Sequence, residues 1–128
     1  MRKIFLIEDN KTEGLLLKLA LNSLEDIEIK TFTNGNDLIE NLDENPDIAL
    51  VDIMLPDISG FEVVKIIREF NPNIKIIVVS AQKEIEMIAK MQSLGIFNYV
   101  VKSEYAIQYL KEILQDLFVV MDCCNKVS

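Results

Sequence analysis

The chain has 128 residues, half of them hydrophobic and 27% charged, which describes one globular domain able to bury a core without a disulfide or metal staple. Thirteen basic residues against 21 acidic ones leave a net charge of −8, and there is no histidine. That balance disfavours nucleic acid and anionic membrane as partners, and the missing imidazole disfavours zinc sites and Ser-His-Asp hydrolysis; any metal site should be oxygen-rich, suited to Mg²⁺ or Ca²⁺.

Met1-Arg2-Lys3 precedes only four apolar residues, short of the ~7–15 of a secretory signal, and no apolar run approaches the ~18–20 of a membrane span. Lys3–Glu8 reads as a continuous apolar strand. Lys11–Ser23 follows with leucines at 15, 16, 19 and 24 on a helical period. Ile27–Phe32 alternates as a strand with one wetter face. Asn36–Leu42 is a short helix with Leu38, Ile39 and Leu42 inward. Ile48–Ile53 is a buried strand, and Pro56-Asp57-Ile58-Ser59-Gly60 is loop chemistry. Phe61–Phe70 is helical and stops at Asn71-Pro72-Asn73. Ile74–Ser80 is the most hydrophobic strand. Gln82–Leu94 is a helix with Gly95 as its C-terminal cap. Phe97–Val101 is the last strand. Glu104–Met121 is a long helix with Ile107, Leu110, Leu114, Leu117 and Met121 in one stripe. Cys123 and Cys124 are neighbours that cannot staple a fold, and they read as reduced thiols of a cytoplasmic protein.

Five strand–helix units in succession imply an α/β fold, a doubly wound parallel sheet with helices on both faces. The functional crevice of such a sheet lies at the carboxyl ends of its strands. The polar residues at those ends are Glu8 and Asp9, Asp52, Ser80 and Lys102. A carboxylate after a strand is often only a cap for the next helix, which is an alternative reading for Asp9. Asp52 is harder to explain that way, because it stands inside Leu50-Val51-Asp52-Ile53-Met54-Leu55, where a charge is costly unless paired or metal-bound. Three gathered carboxylates repel one another, and Mg²⁺ relieves this. A carboxylate can attack phosphorus to form an aspartyl phosphate, with a metal, Lys102 and the Ser80 hydroxyl positioning the phosphoryl group. The expected chemistry is a Mg²⁺-dependent acyl-phosphate site with Asp52 as nucleophile.

Phe5–Asn10, the VDIMLPDISGFEV run at 51–63, VVSAQ at 78–82 and GIFNYVVKS at 95–103 together resemble the receiver domain of two-component response regulators. The resemblance covers residues 3 to about 120. It implies the flavodoxin-like strand order 2-1-3-4-5, with residues 1–122 as the receiver and 123–128 as a C-terminal tail. It further implies that Asp52 is the phosphoacceptor and that Asp9, Glu8, Asp52 and the Met54 carbonyl bind Mg²⁺. Ser80 and Lys102 would contact the phosphoryl group, with Tyr99 switching rotamer as Ser80 moves. The implied donor is a phosphohistidine on a sensor histidine kinase or phosphotransfer protein. Output would pass to a downstream protein partner or output domain through the fourth helix, last strand and last helix, or to a second copy as a homodimer. Ile85, Ile88, Ala89 and Met87, Met91, Leu94 form two apolar stripes on that fourth helix, more than one core face holds.

One departure stands out. Ser103 follows Lys102 where the family usually has a proline joined by a cis peptide, so either a non-proline cis bond or a trans loop with a different lysine reach is expected. The alternative function is a pseudo-receiver that docks partners without phosphorylation. A flavodoxin phosphate loop is opposed by Glu8-Asp9-Asn10, and a dehalogenase-type phosphatase by Met54 in place of a second aspartate.

Overall fold

The computed structural model describes residues 1–127, and side chains through residue 123. The backbone of the expected tail at 123–128 continues the last helix through Val127, a role for the Cys124 side chain lies outside the described residues, and the Cys123 thiol is free and exposed. The strands are β1 (Arg2–Ile7), β2 (Ile27–Phe32), β3 (Ile48–Val51), β4 (Lys75–Ser80) and β5 (Asn98–Val101). All pair in parallel, in the order β2-β1-β3-β4-β5. The doubly wound α/β fold expected from the residues is the one observed, as is the strand order implied by the resemblance.

Alternation along the central strands builds two cores. Phe5, Ile7, Ala49, Val51, Ile76 and Val78 face one side, where α2 (Gly35–Glu40), α3 (Gly60–Phe70) and α4 (Ile85–Ser93) cover them. Ile4, Leu6, Ile48, Leu50, Ile77 and Val79 face the other, under α1 (Lys11–Leu21) and α5 (Ala106–Val127). Burial on both faces explains why these strands read as unbroken apolar runs.

The helix faces differ from the sequence expectation on α1 and α5, and one of the two apolar stripes on α4 emerges as the core face. On α1 the core contact is Gly14, Leu17 and Leu21, while Leu15, Leu16 and Leu19 are more than half exposed. Positions 14, 17 and 21 recur at helical spacing, and the other leucines fall on the opposite arc. On α4, Met91 is fully buried and Ile85 is 83% exposed, so the methionine stripe is the core face. The short helix after β2 ends at Glu40 and continues as a single 3-10 turn, Leu42–Glu44, ended by Asn45 in the left-handed region. In α5, Leu110, Leu114 and Leu117 are buried as expected, whereas Ile107 is partly in solvent. That helix runs on past Met121, and Phe118 joins the core beneath the Arg2 guanidinium, 4.4 Å from the ring centre.

Glycine is required at two positions, one at the crevice and one at the opposite edge of the sheet. A Cβ on Gly60 would lie 2.5 Å from the Asp52 carbonyl oxygen, so the start of α3 sits directly on the backbone after β3. Gly95 adopts φ +80° after α4, as its capping role needs. No described helix is long and apolar enough to cross a membrane.

Candidate functional site

The site forms where the strand order reverses, between the carboxyl ends of β1 and β3. β1 stops at Ile7, and the Glu8 N–H still donates to the Phe32 carbonyl at 3.0 Å, which holds Glu8 and Asp9 at the sheet edge. β3 stops at Val51, one residue before Asp52, whose N–H reaches the Ile7 carbonyl at 3.3 Å. Asp52 therefore stands just past the strand and not within it, yet it is only 5% exposed. Glu8 and Ser80 are buried too, and Asp9 is exposed.

One carboxylate oxygen from each of Glu8, Asp9 and Asp52 lies within 4.8 Å of the others. Asp9 is not the helix cap. Asn10 takes that role, its side chain accepting from the Glu13 N–H at 3.0 Å, so Asp9 is left to the cluster. Lys102 crosses from the end of β5 with its Nζ donating to Glu8 Oε2 at 2.8 Å, Asp52 Oδ2 at 2.9 Å and Glu13 Oε2 at 3.0 Å. The described residues contain no cis peptide, so the Lys102–Ser103 bond is trans and the lysine reaches the carboxylates from that backbone. Met54 N–H donates to Asp52 Oδ1 at 3.1 Å, which orients the carboxylate and brings the loop backbone over it.

Electrostatics follow from burial. Desolvation pushes the Glu8 carboxyl up to about 7, opposed by its hydrogen bond to Lys102 and assisted by neighbouring Asp52. Burial disfavours the Lys102 ammonium, but hydrogen bonds to Glu8, Asp52 and Glu13 outweigh this and hold its pKa above the ordinary lysine value. The donor set is all oxygen, which fits a hard cation.

Ser80 ends β4 with its hydroxyl accepting from the Gln82 N–H at 3.1 Å. Tyr99 is turned inward, 9% exposed, and its hydroxyl donates to the Gln82 carbonyl at 2.6 Å. Burial raises its pKa, so the phenol keeps its proton. Gln82 thus links the two residues expected to form the switch. The structure gathers Glu8, Asp9, Asp52 and Lys102 at one edge of the sheet and joins Ser80 to Tyr99 through Gln82. It adds Glu13 and Gln82, which the strand-end criterion missed because Glu13 lies in the first turn of a helix and Gln82 acts through its backbone.

A family model for the response regulator receiver domain matches residues 4–115. The chain belongs to this family. The receiver domain is 28% identical over 102 residues to the chemotaxis protein CheY of Thermotoga maritima, covering 79% of this chain and 85% of CheY. It is 36% identical over 101 residues to a cyclic di-GMP phosphodiesterase of the same organism, covering 77% of this chain but about a quarter of that protein's length. Among solved structures, the BeF3-activated receiver domain of DrrB, from T. maritima, superposes with a TM-score of 0.83 at 26% identity, covering 92% of this chain and 97% of that one. The receiver domain is thus the signalling module of a two-component response regulator.

Proposed function

We propose that Asp52 is the phosphoacceptor of this receiver domain and that the donor is a phosphohistidine on a sensor histidine kinase or phosphotransfer protein. The carrying observation is the buried Asp52 carboxylate held 2.9 Å from the Lys102 ammonium beside two further carboxylates. An Asp52 oxygen forms the new bond to phosphorus as the donor's P–N bond breaks; the imidazole nitrogen keeps that electron pair and is protonated from water. The chain has no histidine of its own to act as donor. Lys102 stays protonated and offers an N–H to a phosphoryl oxygen, and the Ser80 hydroxyl offers another. Glu8, Asp9, Asp52 and the Met54 carbonyl would hold Mg²⁺, which when bound neutralises the phosphoryl oxygens.

Movement of Ser80 toward the phosphoryl group would break its contact with Gln82 and free Tyr99 to change rotamer. The surface that reads this change is α4, β5 and α5, where Ile85 is exposed and available to a partner, an output domain or a second copy. On this reading the chain is a cytoplasmic signalling switch, not an enzyme with its own substrate.

The test is incubation with Mg²⁺ and acetyl phosphate followed by intact mass measurement. Wild type gains one phosphoryl group, and Asp52→Asn gains none. An unlabelled wild type would leave only a phosphorylation-independent docking role, and label persisting on Asp52→Asn would move the acceptor elsewhere.

A further inference from the structure

We infer that Glu13 is a positioning residue that parks Lys102 in the unphosphorylated receiver and must release it for phosphoryl transfer. The inference rests on the phosphoacceptor reading of Asp52 and Lys102. An ammonium has three N–H donors and no more. All three are engaged here, by Glu8 at 2.8 Å, Asp52 at 2.9 Å and Glu13 at 3.0 Å. No donor remains for an incoming phosphoryl oxygen until one carboxylate lets go. The side chains of Glu8 and Asp52 are 4% and 6% exposed, whereas that of Glu13 is 51% exposed. Glu13 is therefore the partner whose release exposes no unpaired buried charge, because water solvates it at once.

The position of Glu13 in its helix argues against an ordinary capping role. It is the third residue after the Asn10 cap, where a glutamate commonly turns back to accept from the cap residue's N–H. Here the Asn10 N–H is taken by Glu8 Oε1 at 3.3 Å, and the Glu13 carboxylate reaches across to the β5 side of the crevice. The two acidic residues have divided the work: Glu8 serves the helix start, and Glu13 serves Lys102.

Loss of the Glu13 contact should favour the state in which Lys102 engages phosphate. An exposed ion pair of this type shifts an equilibrium by about two- to fivefold. The experiment compares wild type, Glu13→Ala and Glu13→Asp for the rate of labelling by acetyl phosphate with Mg²⁺, read by intact mass. It also records the ¹⁵N resonance of the Lys102 side chain and the melting temperature of each unphosphorylated protein. Aspartate keeps the charge but is one methylene too short for the contact. Both variants are expected to label about two- to fivefold faster, with a displaced Lys102 resonance and a melting temperature close to wild type. Equal rates in all three, or Glu13→Asp behaving as wild type while Glu13→Ala alone accelerates, would overturn the parking contact, the latter by showing simple charge repulsion of the donor. An unlabelled wild type would overturn the phosphoacceptor reading and this inference with it, whereas a labelled wild type with unchanged variants overturns the inference alone.

Discussion

Glu8 combines burial, a lysine contact and a neighbouring carboxylate, and its behaviour with pH follows from them. Its pKa in the folded state is about 7 against an ordinary 4.5, so the folded protein holds this proton more tightly than the unfolded chain. The associated stability is fully present below pH 4.5 and is lost as pH rises through 7. In the absence of divalent cation, Glu8→Gln should remove that part of the decline, worth on the order of 3 kcal/mol between the two ends of the window. Urea titrations of both proteins at pH 5 and pH 8 check this; parallel stabilities at both pH values would contradict it. Metal binding requires the carboxylate form, so Mg²⁺ should bind more weakly at pH 6 than at pH 8. Asp52 was legible from sequence as a charge in an apolar run. The Glu13–Lys102 contact was not, because 89 residues separate the pair and only the folded sheet lets the Lys102 side chain reach across the crevice from β5 to the first turn of α1.

Elements carry the site by where they end. β1 and β3 stop within one residue of their acidic side chains, and Gly60 lets α3 begin against the Asp52 backbone. Strand identities were readable because a sheet covered on both faces demands long apolar runs. The orientation of α1 was harder to read, since its leucines at 15, 16, 17, 19 and 21 nearly encircle the helix. Gly14 belongs to the buried arc, where α1 passes close to the Glu8 side chain, 3.7 Å from where a Cβ would sit. The two arcs should respond differently to truncation. Leu21→Ala, at a fully buried position, should cost about 2–5 kcal/mol, whereas Leu19→Ala, 60% exposed, should stay within about 0.5 kcal/mol of wild type. Chemical denaturation followed by circular dichroism distinguishes them, and equal costs would refute the assigned orientation. On α4, Met87, Met91 and Leu94 turn inward, and Ile85 is left for solvent or a partner because the helix has one face to bury and two apolar stripes.

Across the whole molecule, the net charge of −8 resolves into two populations. Most of the acid is solvated on helices and loops, while Glu8, Asp9 and Asp52 converge at one edge of the sheet. Only the folded chain brings these three carboxylates together, so a divalent cation should stabilise the folded state by mass action. At a Mg²⁺ concentration 100 times its dissociation constant the gain is about 2.7 kcal/mol, seen as a higher melting temperature that a chelator reverses and that Asp52→Asn diminishes. An unchanged melting temperature over a wide Mg²⁺ range would refute the metal assignment. The sequence alone determined the fold class, the strand segments and the residues at their carboxyl ends, because hydrophobic period and strand punctuation are local properties of the chain. Tertiary structure decided which arc of α1 faces the core, that Asp9 is free because Asn10 caps the helix, and that Tyr99 points inward to Gln82. It also decided that three carboxylates share one lysine. These depend on the juxtaposition of segments far apart in the chain, and side-chain charge and burial take their values only once that juxtaposition exists.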